Sequence, residues 1–565
     1  VEGPEDYDVI IVGGGINGAG VARDCAVRGF KTVLFEKGDF AGGTTGSTTG
    51  WIRGAGRYLT HAMPLAAQGA REAGILRKIA AHLTFRVPFL IPITGSSVED
   101  RLAARILHAY LRATGRFRFA AGNKEPIRLS RDEVLALEPG LNPRICGAFA
   151  LDVWGIDAPR LVILNLLSAR EHGARCCNYT EVVDVIREGA SGPACRVVGV
   201  RVRRPRGTIR DVRGRVVVVA AGHGAPEVGR RAGVLLVLRS TKGVHLVFER
   251  RLSNVGIMAR AIDGKTVALL PHERSTLLGT TARDFYGDPD RVPITHDEVE
   301  YLLEAAERVF PSVRTQRITR AVAEVRLSPF EWNVSEDRLS FRHQIFDHGE
   351  RDGVRGVFTL VGGWLSDYRL AAREITDRVA RLLNRNVPCR THLDPLPGSE
   401  SSPKPGEVAR EFGISPYAAM RLLVRHGSVA REILEGTRED PGLLRTICLC
   451  EPVLEAEVRY VVRREWARNL EDLSRRTGFG AGPCGSCRCI ERAAQILADE
   501  LDWSPEEIDH QVRRFLLKRW RSVLPVLGGA ELAREELSLA RHLGVEGYGR
   551  IFPPPAYPDG GTELW

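Results

Sequence analysis

The first forty residues change hydrophobic period twice. Asp8-Val-Ile-Ile-Val12 is a short continuous apolar run, suited to a strand buried on both faces of a parallel sheet. Gly13-Gly-Gly15-Ile16-Asn17-Gly18 follows at once, and the apolar positions from Val21 to Arg28 then recur at helical spacing until Gly29 closes the segment. Lys31-Thr-Val-Leu-Phe-Glu36 predicts a second strand ending in an acid, with Lys37 next. Two more apolar runs end in small-residue turns: Arg215-Val-Val-Val-Val-Ala-Ala-Gly222, and Val357-Phe-Thr-Leu-Val-Gly362-Gly363. Trp364 to Leu383, beginning Trp364-Leu365, reads as the helix after the last run.

This order has a chemical meaning. Gly13 allows a tight turn, Gly15 lets the backbone approach a pyrophosphate, and Gly18 lets the helix pack closely on its strand. The helix N-terminus and its free amides attract the anion. Glu36 lies 18 residues beyond Gly18, where a ribose-binding carboxylate belongs. Gly42-Gly-Thr44-Thr45-Gly-Ser47-Thr48-Thr-Gly50 is a polar, flexible loop long enough to wrap an extended diphosphate, which favours FAD over NAD.

At 565 residues the chain exceeds what one core supports, so two or three domains are expected. With 44% hydrophobic and 27% charged residues it reads as globular throughout. The net charge of +10 is spread along the chain without long basic runs, so no nucleic-acid partner is expected. No apolar stretch reaches the roughly 20 residues that span a bilayer, and the first residues do not read as a signal peptide, which points to the cytoplasm.

Two groups stand out among the 11 cysteines. Cys25, Cys146, Cys176, Cys177 and Cys195 read as small buried hydrophobes. Cys448-Leu-Cys450, 33 residues and then Cys484-Gly-Ser-Cys487 form two close pairs suited to a metal, with Cys489 as a possible further ligand. A first pair spaced C-x-C is unlike most zinc fingers, and a redox cluster suits a flavin enzyme; [2Fe–2S] is therefore preferred, with zinc the alternative. The segment between the pairs, Glu455 to Leu473, is helical in character.

Over essentially its whole length the chain resembles the large flavin subunit of anaerobic glycerol-3-phosphate dehydrogenases. The resemblance is carried by Gly13 to Asp24, Gly56-Arg57-Tyr58, Gly279-Thr-Thr281, Val325-Arg326, Asp347-His348 and Gly362-Gly363 with Tyr368-Arg369-Leu370. The cysteine module resembles the [2Fe–2S] domain of bacterioferritin-associated ferredoxin. The resemblance implies an α/β fold: a Rossmann-like FAD domain interleaved with a mixed β-sheet substrate domain, plus a small helical iron–sulfur domain. The expected division is an oxidoreductase unit over 1–385, with FAD segments at 1–60, 215–225 and 355–385. A linker over 386–405, a helical connector over 406–445, the cluster domain over 446–510 and a tail over 511–565 complete it.

It also implies hydride transfer from sn-glycerol 3-phosphate to flavin, giving dihydroxyacetone phosphate, with electrons leaving through the cluster. The onward acceptor would be a quinone, another one-electron acceptor or the next member of a dehydrogenase complex, with peripheral membrane association through that partner. Arg326, Arg57 and Tyr58 stand at substrate positions. Two positions depart from the family: Arg53 replaces a histidine that is a candidate base, and Trp364 replaces a lysine near substrate. An arginine is a poor base near neutrality, so His245 is the first replacement candidate, ahead of His61 and His223. Asp367, at a family threonine position, adds an acid near the flavin. These departures keep open a dehydrogenase of another hydroxy acid or an amine, and a non-catalytic electron-transfer subunit.

Overall fold

The computed structural model describes residues 6–52, 63–95, 105, 109, 123–189, 195–334, 339, 342–486 and 488–541. The early apolar runs form the middle of a sheet that has eight strands among the described residues. Asp6–Val12 lies between Thr32–Phe35 and Ile209–Val219, all parallel, and Val357–Val361 adds in parallel beyond the last of these. Such strands are apolar on both faces because both are covered. Val9, Ile11, Leu34, Val216 and Val218 pack under helices Ile16–Val27, Ala158–Glu171 and Tyr368–Leu382. On the opposite face, Ile10, Val12, Val33 and Val217 meet the antiparallel pair Glu181–Glu188 and Arg196–Arg203 and the short helix Ala225–Ala232.

This sheet draws in more chain than the expected FAD segments. Arg175–Cys177 extends it in parallel beside Thr32–Phe35, and Arg196–Arg203 pairs with Ile209–Val219. The helix expected from Trp364 begins later: a 3-10 turn, Leu365–Asp367, precedes Tyr368–Leu382.

The second sheet has ten strands among the described residues and is mixed. Its long members are Thr84–Ile93, Gly147–Ile156, Leu238–Phe248 and Ile318–Pro329. Side chains alternate between faces with period two. Val244, Leu246, Phe248 and Ala321 point to helix His296–Glu307, while Phe89, Ala268 and Leu270 point the other way, against Trp51.

The C-terminal part is helical. Pro405–Phe412, Pro416–His426 and Ala430–Glu435 share one core. Glu455–Arg464, Leu470–Thr477, Ile490–Leu501 and Pro505–Val523 share another. The segment Glu455 to Leu473, expected to be helical in character, holds two helices separated at Trp466, whose φ of 57° takes the chain out of the right-handed helix. The Pro- and Ser-rich stretch 386–405 is no loose linker: the buried Arg23 donates to the carbonyls of Thr391 and Asp394, and Leu396 is fully buried.

Candidate active site

The glycine turn has the backbone geometry its sequence requires. Gly13 has φ +111°, and a Cβ there would stand 2.5 Å from the Ala220 oxygen; one on Gly18 would stand 1.9 Å from the Gly13 oxygen. Gly15 occupies the N-cap of helix Ile16–Val27 with no side-chain cap, so the helix presents amides to an incoming anion. Three expected pieces converge here. The Ile16 amide donates to Thr45 Oγ1 at 3.2 Å, and Asn17 Nδ2 donates to the Gly362 oxygen at 2.9 Å. Glu36, ending the second strand, accepts from the Gly14 amide at 2.7 Å and the Gly38 amide at 2.9 Å. Burial raises its pKa, while the two amides work against that shift.

Around this centre, Thr44–Ser47 forms a 3-10 turn ending at Thr48. Gly222 (φ +55°) has open space where a side chain would be, and Gly362 and Gly363 also have positive φ, at +69° and +96°. Trp364 follows as the half-buried N-cap of Leu365–Asp367, with Asp367 buried and accepting from Ser366 Oγ at 3.1 Å. Lys37 is turned outward to Asp290, at 2.8 Å, and His223 meets the other oxygen of Asp290 at 3.2 Å. These residues suit FAD: a bare helix end for its phosphates, a carboxylate for a ribose and a glycine-lined cradle.

The second sheet supplies the other wall. Its register sets Arg326 opposite Thr241, Glu324 opposite Gly243, and His245 opposite both Val322 and Gly279. By alternation Arg326, Glu324 and His245 share the face that looks away from helix His296–Glu307. The strand that carries Arg326 meets the glycine-rich loop, because Thr44 Oγ1 donates to the Val325 oxygen at 2.5 Å. Gly243 is the bare spot on it: a Cβ there would stand 2.5 Å from Thr280 Oγ1, 2.9 Å from Arg326 Nη2 and 3.3 Å from Glu324 Oε1. Arg326 Nε lies 3.3 Å from Glu324 Oε1, and Nη2 donates to the Thr281 oxygen at 3.3 Å. His245 is buried over Gly279. Lys242 takes the opposite face and pairs with the buried Glu298 at 2.8 Å, serving packing and not the site.

Arg53, Arg57, Tyr58 and His61 lie outside the described residues. Glu324 and Thr280 were not singled out from sequence as site residues. The period-two signal for Glu324 was present, since it stands two residues before Arg326 on the same strand.

At the far end, the Cys448 and Cys489 thiols hydrogen-bond to each other, as do those of Cys450 and Cys484. The Cys448 thiol is lowered to about 6, first by Cys489 and then by the Gly480, Glu451 and Cys450 amides, which outweigh burial. A Cβ on Gly482 would stand 2.2 Å from Cys450 Cβ, so that loop closes tightly over the pair. Two arginines of the second sheet hold the module: Arg274 donates to the Cys450 oxygen at 3.1 Å and Arg320 to the Ala481 oxygen at 2.9 Å. Arg320 lies on the same strand as Arg326 and, by alternation, on the same face. Cys487 is outside the described residues; among those described, no group of three or more His, Cys, Asp or Glu side chains is set to hold a metal ion.

A glycine-turn nucleotide site facing a polar sheet wall defines an α/β oxidoreductase that works with a bound dinucleotide. Residues 8–372 match the family model described as FAD dependent oxidoreductase, and residues 389–508 match the C-terminal domain of alpha-glycerophosphate oxidase. Similarity extends over nearly the full length to an anaerobic glycerol-3-phosphate dehydrogenase subunit of Haemophilus influenzae (32% identical, 98% of this chain and 96% of that one). The corresponding subunit from Escherichia coli K12 is also similar (34%, 96% and 97%). Among solved structures, the glycerol-3-phosphate dehydrogenase of Bacillus halodurans complexed with FAD superposes with a TM-score of 0.73 at 25% identity, over 93% of this chain and 97% of that one. The chain belongs to the FAD-dependent glycerol-3-phosphate dehydrogenase family. A glycine oxidase from Geobacillus kaustophilus shares the fold at 22% identity and a TM-score of 0.53, over 69% of this chain and 98% of that one.

Proposed function

We propose that this chain oxidises sn-glycerol 3-phosphate to dihydroxyacetone phosphate and passes the electrons to a [2Fe–2S] cluster. The observation that carries the reading is the placement of Arg326: its guanidinium lies over the bare Gly243 backbone, on the strand that Thr44 ties to the FAD loop. A forked cation at that point suits an oxyanion of the substrate. FAD, when bound, would supply the two-electron acceptor for the hydrogen leaving the carbinol carbon. The chain's part is to hold the helix amides and Glu36 against the cofactor, and to set Arg326, Thr280 and His245 along the opposite wall. His245 serves as the candidate acceptor of the hydroxyl proton, with Arg53, Arg57 and Tyr58 assigned to the same pocket from sequence.

For the cluster, Cys448, Cys450 and Cys484 supply thiolates, with Cys487 as the fourth ligand by spacing and Cys489 its rival through its contact with Cys448. Zinc remains the alternative metal. Relatives that are themselves named as dehydrogenase subunits support a larger assembly, in which a partner protein takes the electrons onward at the cytoplasmic face of the membrane. Among the described residues no helix is long and apolar enough to cross a bilayer, which leaves anchoring to that partner.

One observation favours a second reading. The buried carboxylate of Glu324 beside Arg326, with Asp367 by the Gly362 turn, suits a hydroxyl or ammonium better than a dianion. Anaerobic mixing of the oxidised protein with glycerol 3-phosphate, hydroxy acids and amino acids in separate runs decides between them. Flavin bleaching by the phosphate ester alone is expected. Bleaching by an amino or hydroxy acid, and not by the ester, would establish the second reading; bleaching by light but by no substrate would leave an electron-transfer protein.

A further inference from the structure

A buried charge cluster beyond the substrate wall joins the nucleotide loop to the cysteine module. Asp39 stands three residues after Glu36, and Ala41 donates its amide to the Gly14 oxygen at 3.0 Å, so the stretch 36–41 runs along the glycine turn. The approach is close: a Cβ on Gly14 would stand 2.6 Å from Phe40 Cδ1 and 2.9 Å from Glu36 Cβ. Within the first unit the Asp39 carboxylate accepts a 3.3 Å hydrogen bond from Asn178 Nδ2. Its charge partners come from helix Leu470–Thr477, which lies between the two cysteine pairs. Arg475 Nε reaches Oδ2 at 2.7 Å, and Arg476 reaches Oδ2 at 2.5 Å and Oδ1 at 2.7 Å. Arg476 and Asp39 are both buried. The contact continues through neighbours. Phe40 meets Trp466 edge-to-face at 5.4 Å, Asn178 donates to the Trp466 oxygen at 3.0 Å, and the Tyr179 hydroxyl donates to Asp472 at 2.6 Å.

A paired, fully desolvated carboxylate is held in one place, and breaking the pair leaves a buried charge uncompensated. Without Arg476 the residues 36–41 would keep Arg475 and Asn178 but lose the two-bonded, fully buried part of their hold on the module. We propose that Asp39 and Arg476 are positioning residues for FAD: the cysteine-module helix fixes the loop that carries Glu36, so the nucleotide site is complete only when the C-terminal module is docked. The inference needs FAD as cofactor but holds for any substrate and for either metal.

The test is FAD affinity of the full-length chain, measured by titrating apoprotein with FAD and following flavin fluorescence, beside the thermal unfolding midpoint. Three proteins are compared with wild type: Arg476→Met, the double change Asp39→Asn with Arg476→Met, and Arg160→Met with Glu465→Gln. The last removes a buried ion pair of the same interface that lies on helix Ala158–Glu171 and not on the loop. Arg476→Met is expected to weaken FAD binding at least tenfold. The double change, which removes both ends of the pair, is expected to recover much of the unfolding midpoint while FAD binding stays weak; it also serves should the single variant fail to fold. The Arg160 and Glu465 control is expected to lower the midpoint and leave FAD affinity within about twofold. FAD affinity that is unchanged in the double variant, that recovers in step with the midpoint, or that falls equally in the control would overturn the proposal.

Discussion

Arg326 is the residue on which the substrate reading turns, and its environment says what a change should do. Its guanidinium is fixed by Glu324 on one side and the Thr281 carbonyl on the other. A lysine would keep the charge and lose the fork. Arg326→Lys should raise the concentration of glycerol 3-phosphate that half-reduces the flavin by about tenfold or more, since a charge-assisted hydrogen bond is worth about 1.5–3 kcal/mol. The flavin content of the purified variant should match wild type; a variant purified without flavin would show that Arg326 holds the cofactor. How much of this was legible depended on the residue. Gly13, Gly18 and Glu36 are readable because each meets a steric or ionic demand that few residue types satisfy. Glu324 was legible only in part: period two sets it on the face of Arg326, but only cross-strand register reveals that it lies opposite Gly243.

Among elements, the parallel strands were plain in sequence because burial on both faces leaves continuous apolar runs, whereas the extent of the first sheet was not. Arg175–Cys177 is three residues long, and Glu181–Glu188 breaks the period-two pattern, with register shifts at Val182/Asp184 and Ile186/Arg187. Docking of the helical module was equally hidden, because it depends on buried ion pairs between residues hundreds of positions apart. A buried pair inside the helical module, Arg425 with Glu457, carries a pH dependence. Burial works against the charge on Glu457, but the Arg425 guanidinium and the His426 ring overcome it and hold its pKa at about 2, below the ordinary 4.5. A depressed carboxylate contributes stability that is fully present above the unfolded value and is lost as pH falls from about 4.5 through about 2. Glu457→Gln, which leaves the Arg425 charge buried, should therefore cost about 3–5 kcal/mol at neutral pH. The gap to wild type should narrow in denaturant midpoints measured from pH 5 downward. A gap independent of pH would mean that the carboxylate acts through shape and not charge.

Across the whole molecule, the two chemistry-bearing ends of the sequence meet on one sheet. The strand Ile318–Pro329 carries Arg326 toward the flavin loop and Arg320 toward the cysteine loop, so substrate wall and thiol cluster are mounted on one rigid element. Resemblance brought out the oxidoreductase unit, the C-terminal unit that follows it and FAD. It left open how the cysteine module sits, because the contacts that seat it, through Arg274, Arg320, Arg475 and Arg476, fall at positions with no motif of their own. The central claim is that electrons enter at the flavin from glycerol 3-phosphate and leave through iron. The most direct measurement is anaerobic addition of glycerol 3-phosphate to the purified, oxidised protein, followed together by visible absorbance and low-temperature electron paramagnetic resonance. The expected result is bleaching of the flavin band with the appearance of a reduced [2Fe–2S] signal; a bleached flavin in an iron-free protein, or a flavin that stays oxidised, would contradict the account.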